Sequence, residues 1–128
     1  MKPAMLFALL LCLGSAGCWS SERPSIDDLS YDSSSARTAL LAALDAWKQG
    51  RAAELARRKP PIRFADEDYI GGWRLTEYQL VDPEQEIRPF QGVRVNLLLK
   101  NRKGQTAKRL ASYQVSIRPG MAVLRSDP

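Results

Sequence analysis

ARTALLAALDAWKQ, residues 36–49, is the stretch on which the fold turns. Ala36, Leu40, Ala43, Leu44 and Trp47 fall on one face of a helix, while Arg37, Asp45, Lys48 and Gln49 fall on the other. The alanines favour helix without crowding the backbone. Asp32 or one of Ser33, Ser34 and Ser35 can cap the start, and Gly50 can supply the left-handed residue that ends it. Residues 51–59, with Ala52, Ala53, Leu55 and Ala56, read as a second, short helix stopped by Pro60-Pro61. Residues 65–70 read as a single helical turn. Asp66, Glu67 and Asp68 stand at its positive end, and Gly71-Gly72 close it.

Beyond Gly72 the apolar period changes to two. Residues 72–81 predict a strand whose phase slips between Leu75 and the pair Tyr78 and Leu80, so a bulge is expected near Thr76-Glu77. Val93, Val95, Leu97 and Leu99 make a clean inward face against Arg94, Asn96 and Lys100. Asn101-Arg102-Lys103-Gly104 is a hairpin turn. The return strand places Ala107, Ala111, Tyr113, Val115 and Ile117 on one side. Arg118-Pro119-Gly120 turns the chain into a last short strand, residues 121–125. An antiparallel meander with one apolar face needs a cover, and the helix is the long apolar stripe available. The expected class is α+β: one N-terminal amphipathic helix packed on a bent four-stranded antiparallel sheet, with Trp47 near the centre. This order resembles the cystatin-like superfold, which includes the nuclear transport factor 2-like proteins. The likeness is one of architecture over residues 36–125. It implies little about activity, because such folds host inhibitors, enzymes and binding modules alike.

Upstream of the helix the composition shifts. Residues 19–35 hold seven serines and a net charge of −3, from Glu22, Asp27, Asp28 and Asp32 against Arg23. Few apolar residues are present to pack, so the expectation for residues 18–35 is a flexible acidic tether. Residues 36–128 carry 17 Lys and Arg against 10 Asp and Glu, so the basic character of the chain, +5 overall, belongs to the domain. The opening is tripartite: Lys2, the apolar run AMLFALLLCL at residues 4–13, then Gly14-Ser15-Ala16-Gly17-Cys18. The run is shorter than the roughly 20 residues of a membrane span and fits the core of a signal peptide. Cys18 after Ala16-Gly17 resembles the lipobox of bacterial lipoproteins, with Ser15 standing where that family usually carries an aliphatic residue. The resemblance implies removal of residues 1–17 and acylation of Cys18. It also implies export and a lipid anchor in the cell envelope. With Trp19 and Ser20 rather than Asp beside the cysteine, the periplasmic face of an outer membrane is favoured.

Several chemistries are excluded by absence. The 128 residues contain no histidine, and both cysteines, Cys12 and Cys18, precede the domain. A Ser-His-Asp triad, a Cys-His pair, a His or Cys zinc site and an intradomain disulfide are all ruled out. Gln91-Gly92-Val93-Arg94-Val95 has the glutamine and valine of a cystatin inhibitory loop, but Val95 stands where glycine is needed. Asp66-Glu67-Asp68 lacks calcium-loop spacing, so no metal and no cofactor is expected. An isomerase-like site would need a carboxylate and a hydroxyl facing a cavity, a role open to Glu77 with Tyr78 and Tyr113. Together with Trp47 and Trp73 these residues are the candidate pocket. Arg57, Arg58 and Lys59, and the hairpin set Lys100, Arg102 and Lys103 with Lys108 and Arg109, are candidate contacts for an anionic surface. The matching partners are an acidic envelope protein, a glycan or anionic phospholipid, and no nucleic acid. The expectation is a membrane-tethered lipoprotein whose domain is a non-catalytic binding or scaffold module. The alternative is a small-ligand-binding or isomerase-like cavity protein on the same fold.

Overall fold

Asp32 starts the first helix by accepting hydrogen bonds at its carboxylate from the backbone N–H of Ser34 and Ser35 at 3.0 and 3.2 Å. The computed structural model describes residues 32–127. The expected signal peptide, the expected acylation site Cys18 and the expected tether up to residue 31 lie outside the described residues. Helix α1 runs Ser33–Lys48 and ends where Gly50 turns left-handed at φ +74. Its buried face is Ala36, Ala39, Leu40, Ala43, Leu44 and Trp47, the expected stripe with Ala39 added. The three alanines hold the helix close to the sheet, and Leu40, Leu44 and Trp47 fill the space between. A five-residue 3-10 turn, Ala52–Ala56, follows and tucks Leu55 into the same core. Among the described residues no helix is long and apolar enough to cross a membrane.

The sheet has five strands rather than four, and it is mixed rather than purely antiparallel. They are β1 (Ile62–Ala65), β2 (Arg74–Leu80), β3 (Val93–Lys100), β4 (Thr106–Ser116) and β5 (Met121–Arg125), in the order β1-β5-β4-β3-β2. The last four form the expected antiparallel meander. The correction is β1, which lies parallel to β5 with Ile62 opposite Met121 and Ala65 opposite Leu124. Four residues carry too little alternation to announce a strand, and the partner lies far along the chain. The sheet curls into a half-barrel around α1. The predicted bulge is present: the β2–β3 register shifts between Leu75 and Glu77. Thr76, the extra residue, turns its hydroxyl to the carbonyl of Leu98 at 2.9 Å. The shift returns Tyr78 and Leu80 to the helix side and sends Glu77 and Gln79 to the other.

Between β1 and β2 the chain crosses the inner face through a short helix, α2 (Glu67–Ile70), capped by Asp66. Trp47 ties α1 to this crossover, donating from its indole Nε1 to the carbonyl of Trp73 at 3.0 Å. Its ring also packs on Phe64 of β1 and Tyr69 of α2, with centroids at 5.9 and 6.1 Å. The β2–β3 connection is held to the start of α1. Arg37 donates to the carbonyls of Pro83 and Gln85, the backbone N–H of Ile87 donates to Ser33 Oγ, and the Ile87 side chain is buried.

Trp47 therefore has two separable roles. Trp47→Phe keeps an aromatic ring but orphans the Trp73 carbonyl, and a loss of about 1–3 kcal/mol is expected. Trp47→Ala also opens a cavity and should cost about 3–5 kcal/mol. Urea unfolding of the two variants checks the order, and equal losses would show that the indole hydrogen bond contributes nothing.

Candidate functional site

Alternation places two cross-strand rows side by side on the face of the sheet turned away from α1. Glu77 opposes Leu98, which opposes Lys108. One step along, Gln79 opposes Asn96, which opposes Leu110. These six residues line an open groove of about 620 Å³. Its floor is apolar at Leu98 and Leu110, and Leu110 is 55% exposed. Its rim is polar, with one acid and one base. The next row beyond Leu110 holds Arg94 and Ser112, and the row beyond Leu98 holds Lys100 and Thr106. The flanks of the groove are thus cationic, and the Lys100–Lys103 end runs on into the hairpin.

The inner face carries a buried ionic network that sequence reasoning did not assemble. Asp66, 1% exposed, follows β1 and caps α2, accepting from the backbone N–H of Asp68 and Tyr69 at 2.8 and 3.1 Å. The same carboxylate accepts from the Tyr113 hydroxyl on β4 and from Arg125 Nη1 on β5, the latter at 3.2 Å to each oxygen. Arg125 reaches Asp68 at 2.8 Å with the same nitrogen and gives its Nε to Asp127. Arg109 extends the chain of charges outward, with Nε 3.5 Å from Asp68 and its guanidinium 5.8 Å from the Trp73 ring centroid. Among the described residues, no buried side-chain polar atom is left without a partner. Burial, the facing Asp66 charge and the hydrogen bond to it push the Tyr113 phenol far above its ordinary value. Burial works against charge on Arg125, but its bonds to Asp127 and Asp68 more than offset this and raise its proton affinity. Burial likewise opposes charge on Asp127, yet the bonds from Arg125 and the Ser112 N–H hold its carboxyl below the usual range.

The structure distributes the candidate pocket residues over both faces. Trp47 and Tyr113 are buried on the inner side, and Trp73 is half-buried beneath Arg109. Tyr78 is half-buried and donates its hydroxyl to Asp45 of α1 at 2.6 Å, so burial and that bond raise its pKa. Glu77 lies in the groove on the opposite face. The basic candidates also divide. Lys100, Arg102 and Lys103 sit at the hairpin end of β4. Arg57, Arg58 and Lys59 precede β1, whose first residue pairs near the far end of that strand. Eleven residues at about 3.3 Å each separate these ends by roughly 36 Å, so the two groups make no single patch. The acidic run 66–68 does cap a helical turn, as expected. Its partners could have been sought by strand phase: Arg109 lies in register with inward Ala107, Ala111 and Tyr113, and Arg125 with inward Val123.

No protein-family model matches the chain, and neither a curated protein nor a solved structure matches it.

The phenol of Tyr113 and the carboxylate of Asp127 make stability depend on pH at both ends. Tyr113 has a folded pKa above its unfolded value of about 10, so its contribution is complete below pH 10 and is lost as pH rises beyond it. Asp127 has a folded pKa below its unfolded value, so its contribution is present above roughly pH 4 and is lost on acidification. Tyr113→Phe should lower stability at pH 7 by about 1–3 kcal/mol and flatten the alkaline fall, Tyr78 supplying what remains. Arg125→Ala leaves Asp66 uncompensated and should cost more, about 3–5 kcal/mol. Denaturant unfolding from pH 4 to 11 measures both.

Proposed function

We propose that this chain is an envelope lipoprotein, acylated at Cys18 and moored through the residues between Cys18 and the cap of α1 at Asp32. Its small basic domain binds a partner with the outer face of the sheet and carries out no reaction of its own. The observation that carries the binding role is the groove: exposed Leu110 beside half-buried Leu98, ringed by polar groups and flanked by Arg94, Lys100 and Lys108, on a face that α1 does not cover. Such a surface suits an acidic polypeptide with apolar side chains better than a nucleic acid or a bare headgroup, because the floor needs covering as well as the rim. The mooring is supported by the cationic start, short apolar run and small residues before Cys18. A helix laid across a curled meander supports the cystatin-like reading of the architecture, from which the parallel β1 departs.

The competing reading, a ligand-binding or isomerase-like cavity protein, draws on the volume of the groove and on Glu77 at its rim. It requires a hydroxyl donor to converge on that carboxylate. The hydroxyls of Tyr78 and Tyr113 are both committed elsewhere, to Asp45 and to Asp66, on the side of the sheet occupied by the helices. That commitment favours the binding module.

Intact mass of the chain purified from membranes should show loss of residues 1–17 and a diacylglyceryl group on Cys18. Unmodified chain beginning at Met1 would remove the mooring. Capture of envelope proteins should weaken several-fold between about 0.1 and 1 M salt, as screening shortens from about 10 to 3 Å. It should also weaken on Leu110→Asp at either salt. Capture indifferent to both changes would place the binding surface elsewhere.

A further inference from the structure

The connection between β2 and β3, residues 81–92, presents a side chain that its local structure does not ask for. Arg88-Pro89-Phe90-Gln91 is a β-turn, closed by the Gln91 N–H donating to the carbonyl of Arg88 at 3.3 Å. Its third residue, Phe90, has φ +62, the left-handed position that such a turn usually gives to glycine or asparagine. No other non-glycine residue among the described residues has a positive φ. Phe90 is also 90% exposed. A bulky ring so placed strains the backbone and buries nothing in its own domain, so neither the turn nor the core accounts for it. The connection around it is tied down on both sides. Ile87 is buried, Arg37 of α1 holds the carbonyls of Pro83 and Gln85, and Gln85 Nε2 reaches the Gly92 carbonyl at 3.4 Å. Gly92 itself lies so close to β4 that a Cβ there would come within 2.3 Å of Ser112 Oγ. A ring held in place this way is ordered in advance, which lowers the entropic cost of using it as an anchor.

The charge beside this anchor is the reverse of the domain's. Residues 81–92 carry Asp82, Glu84 and Glu86 against Arg88 alone, and Arg88 pairs with Glu86 at 3.1 Å. The outer face offers the complement: exposed Leu110 beside half-buried Leu98, with Arg94, Lys100 and Lys108 around them. Among the described residues, Asp82 and Glu84 have no ion-pair partner, and neither do those three cations. Anchor and groove adjoin on one molecule. Phe90 and Asn96 each stand three residues from Val93, on either side of it, about 10 Å of chain apiece. The exposure of Phe90 nevertheless keeps the ring off its own groove.

We propose that the occupant of the groove is a second copy of this chain. Phe90 of one copy seats against Leu98 and Leu110 of the other, and Asp82 and Glu84 face its Arg94 and Lys108. Because anchor and groove are neighbours, a twofold axis near the start of β3 lets both copies make the contact at once. The result is a closed dimer rather than a growing filament. The ring supplies the apolar burial, and the opposed charges set the orientation. The inference rests on the reading of the outer face as the binding surface and names its partner. It does not rest on acylation.

The test mixes isotopically light and heavy full-length chains, each carrying the photoreactive residue p-benzoylphenylalanine at position 110, and maps the cross-linked peptides by tandem mass spectrometry. The expected product joins position 110 of a light chain to residues 82–91 of a heavy one, and the reverse. It should fall several-fold in about 1 M salt. It should fall as far in Phe90→Gly, which suits the left-handed backbone and should unfold within a few degrees of the parent chain. Light chains with Asp82→Lys and Glu84→Lys, mixed with heavy chains with Arg94→Glu and Lys108→Glu, should link light to heavy several-fold more than either links to itself. Links confined to one chain, light–heavy links that avoid residues 82–91, or links that ignore salt and Phe90→Gly overturn the proposal. Links to another protein overturn it and leave the outer face as the binding surface. Links to lipid alone, or none, remove that reading as well.

Discussion

The carboxylate of Asp66 is the point through which the parts of this domain are tied. It sits where β1 ends and α2 begins, and it accepts from two backbone amides, a phenol on β4 and a guanidinium on β5. An unpaired charge at such depth would cost several kcal/mol, so burial is tolerable only because every donor arrives at once. The donors come from three elements, α2, β4 and β5. The position of α2 over the sheet, the pairing of β1 with β5 and the approach of β4 are therefore conditions on one another rather than separate contacts. Arg125 serves two acids with a single nitrogen and a third with its Nε, so the tie extends to Asp68 and Asp127.

Around that tie the two faces of the sheet have opposite character. The inner one is closed by α1 and α2, and its polar groups are spoken for. The outer one presents leucines, amides and cations to solvent. Edge strand β1 has only four residues and edge strand β2 carries the bulge, each a usual way of making a sheet edge unattractive to further strands. The face itself is thus a more natural docking platform than the edge. The bulge has a second effect there. Without the extra residue Thr76, Glu77 would share the parity of Leu75 and point toward α1.

Much of the architecture could be read from local pattern. The α1 stripe, the bulge at Thr76, the hairpin through Gly104 and the alternation of β3 each depend on residues close in sequence, and each was expected where it lies. What escaped reading is non-local. Strand β1 shows only Ile62 and Phe64 on alternate positions, and its hydrogen-bonding partner is Met121–Arg125. The ionic network is spread over residues 66, 68, 109, 113, 125 and 127, and Arg109 looked like one more member of a basic hairpin. The groove was equally hidden, since Leu98 and Leu110 become neighbours only once the β3–β4 register brings Leu98 beside Lys108 and Asn96 beside Leu110.

The pairing of β1 with β5 has a consequence for how the chain is born. Nearly sixty residues separate Ile62 from Met121, and the whole β2–β4 meander is made in between. As the polypeptide leaves the ribosome, helix α1 and the hairpins can begin to form from neighbours. The β1–β5 seam of the half-barrel and the pairing of Asp66 with Arg125 must wait for residues 121–125. High sequence separation slows closure of this kind. Until that strand emerges, β1 has no hydrogen-bonding partner among the described strands.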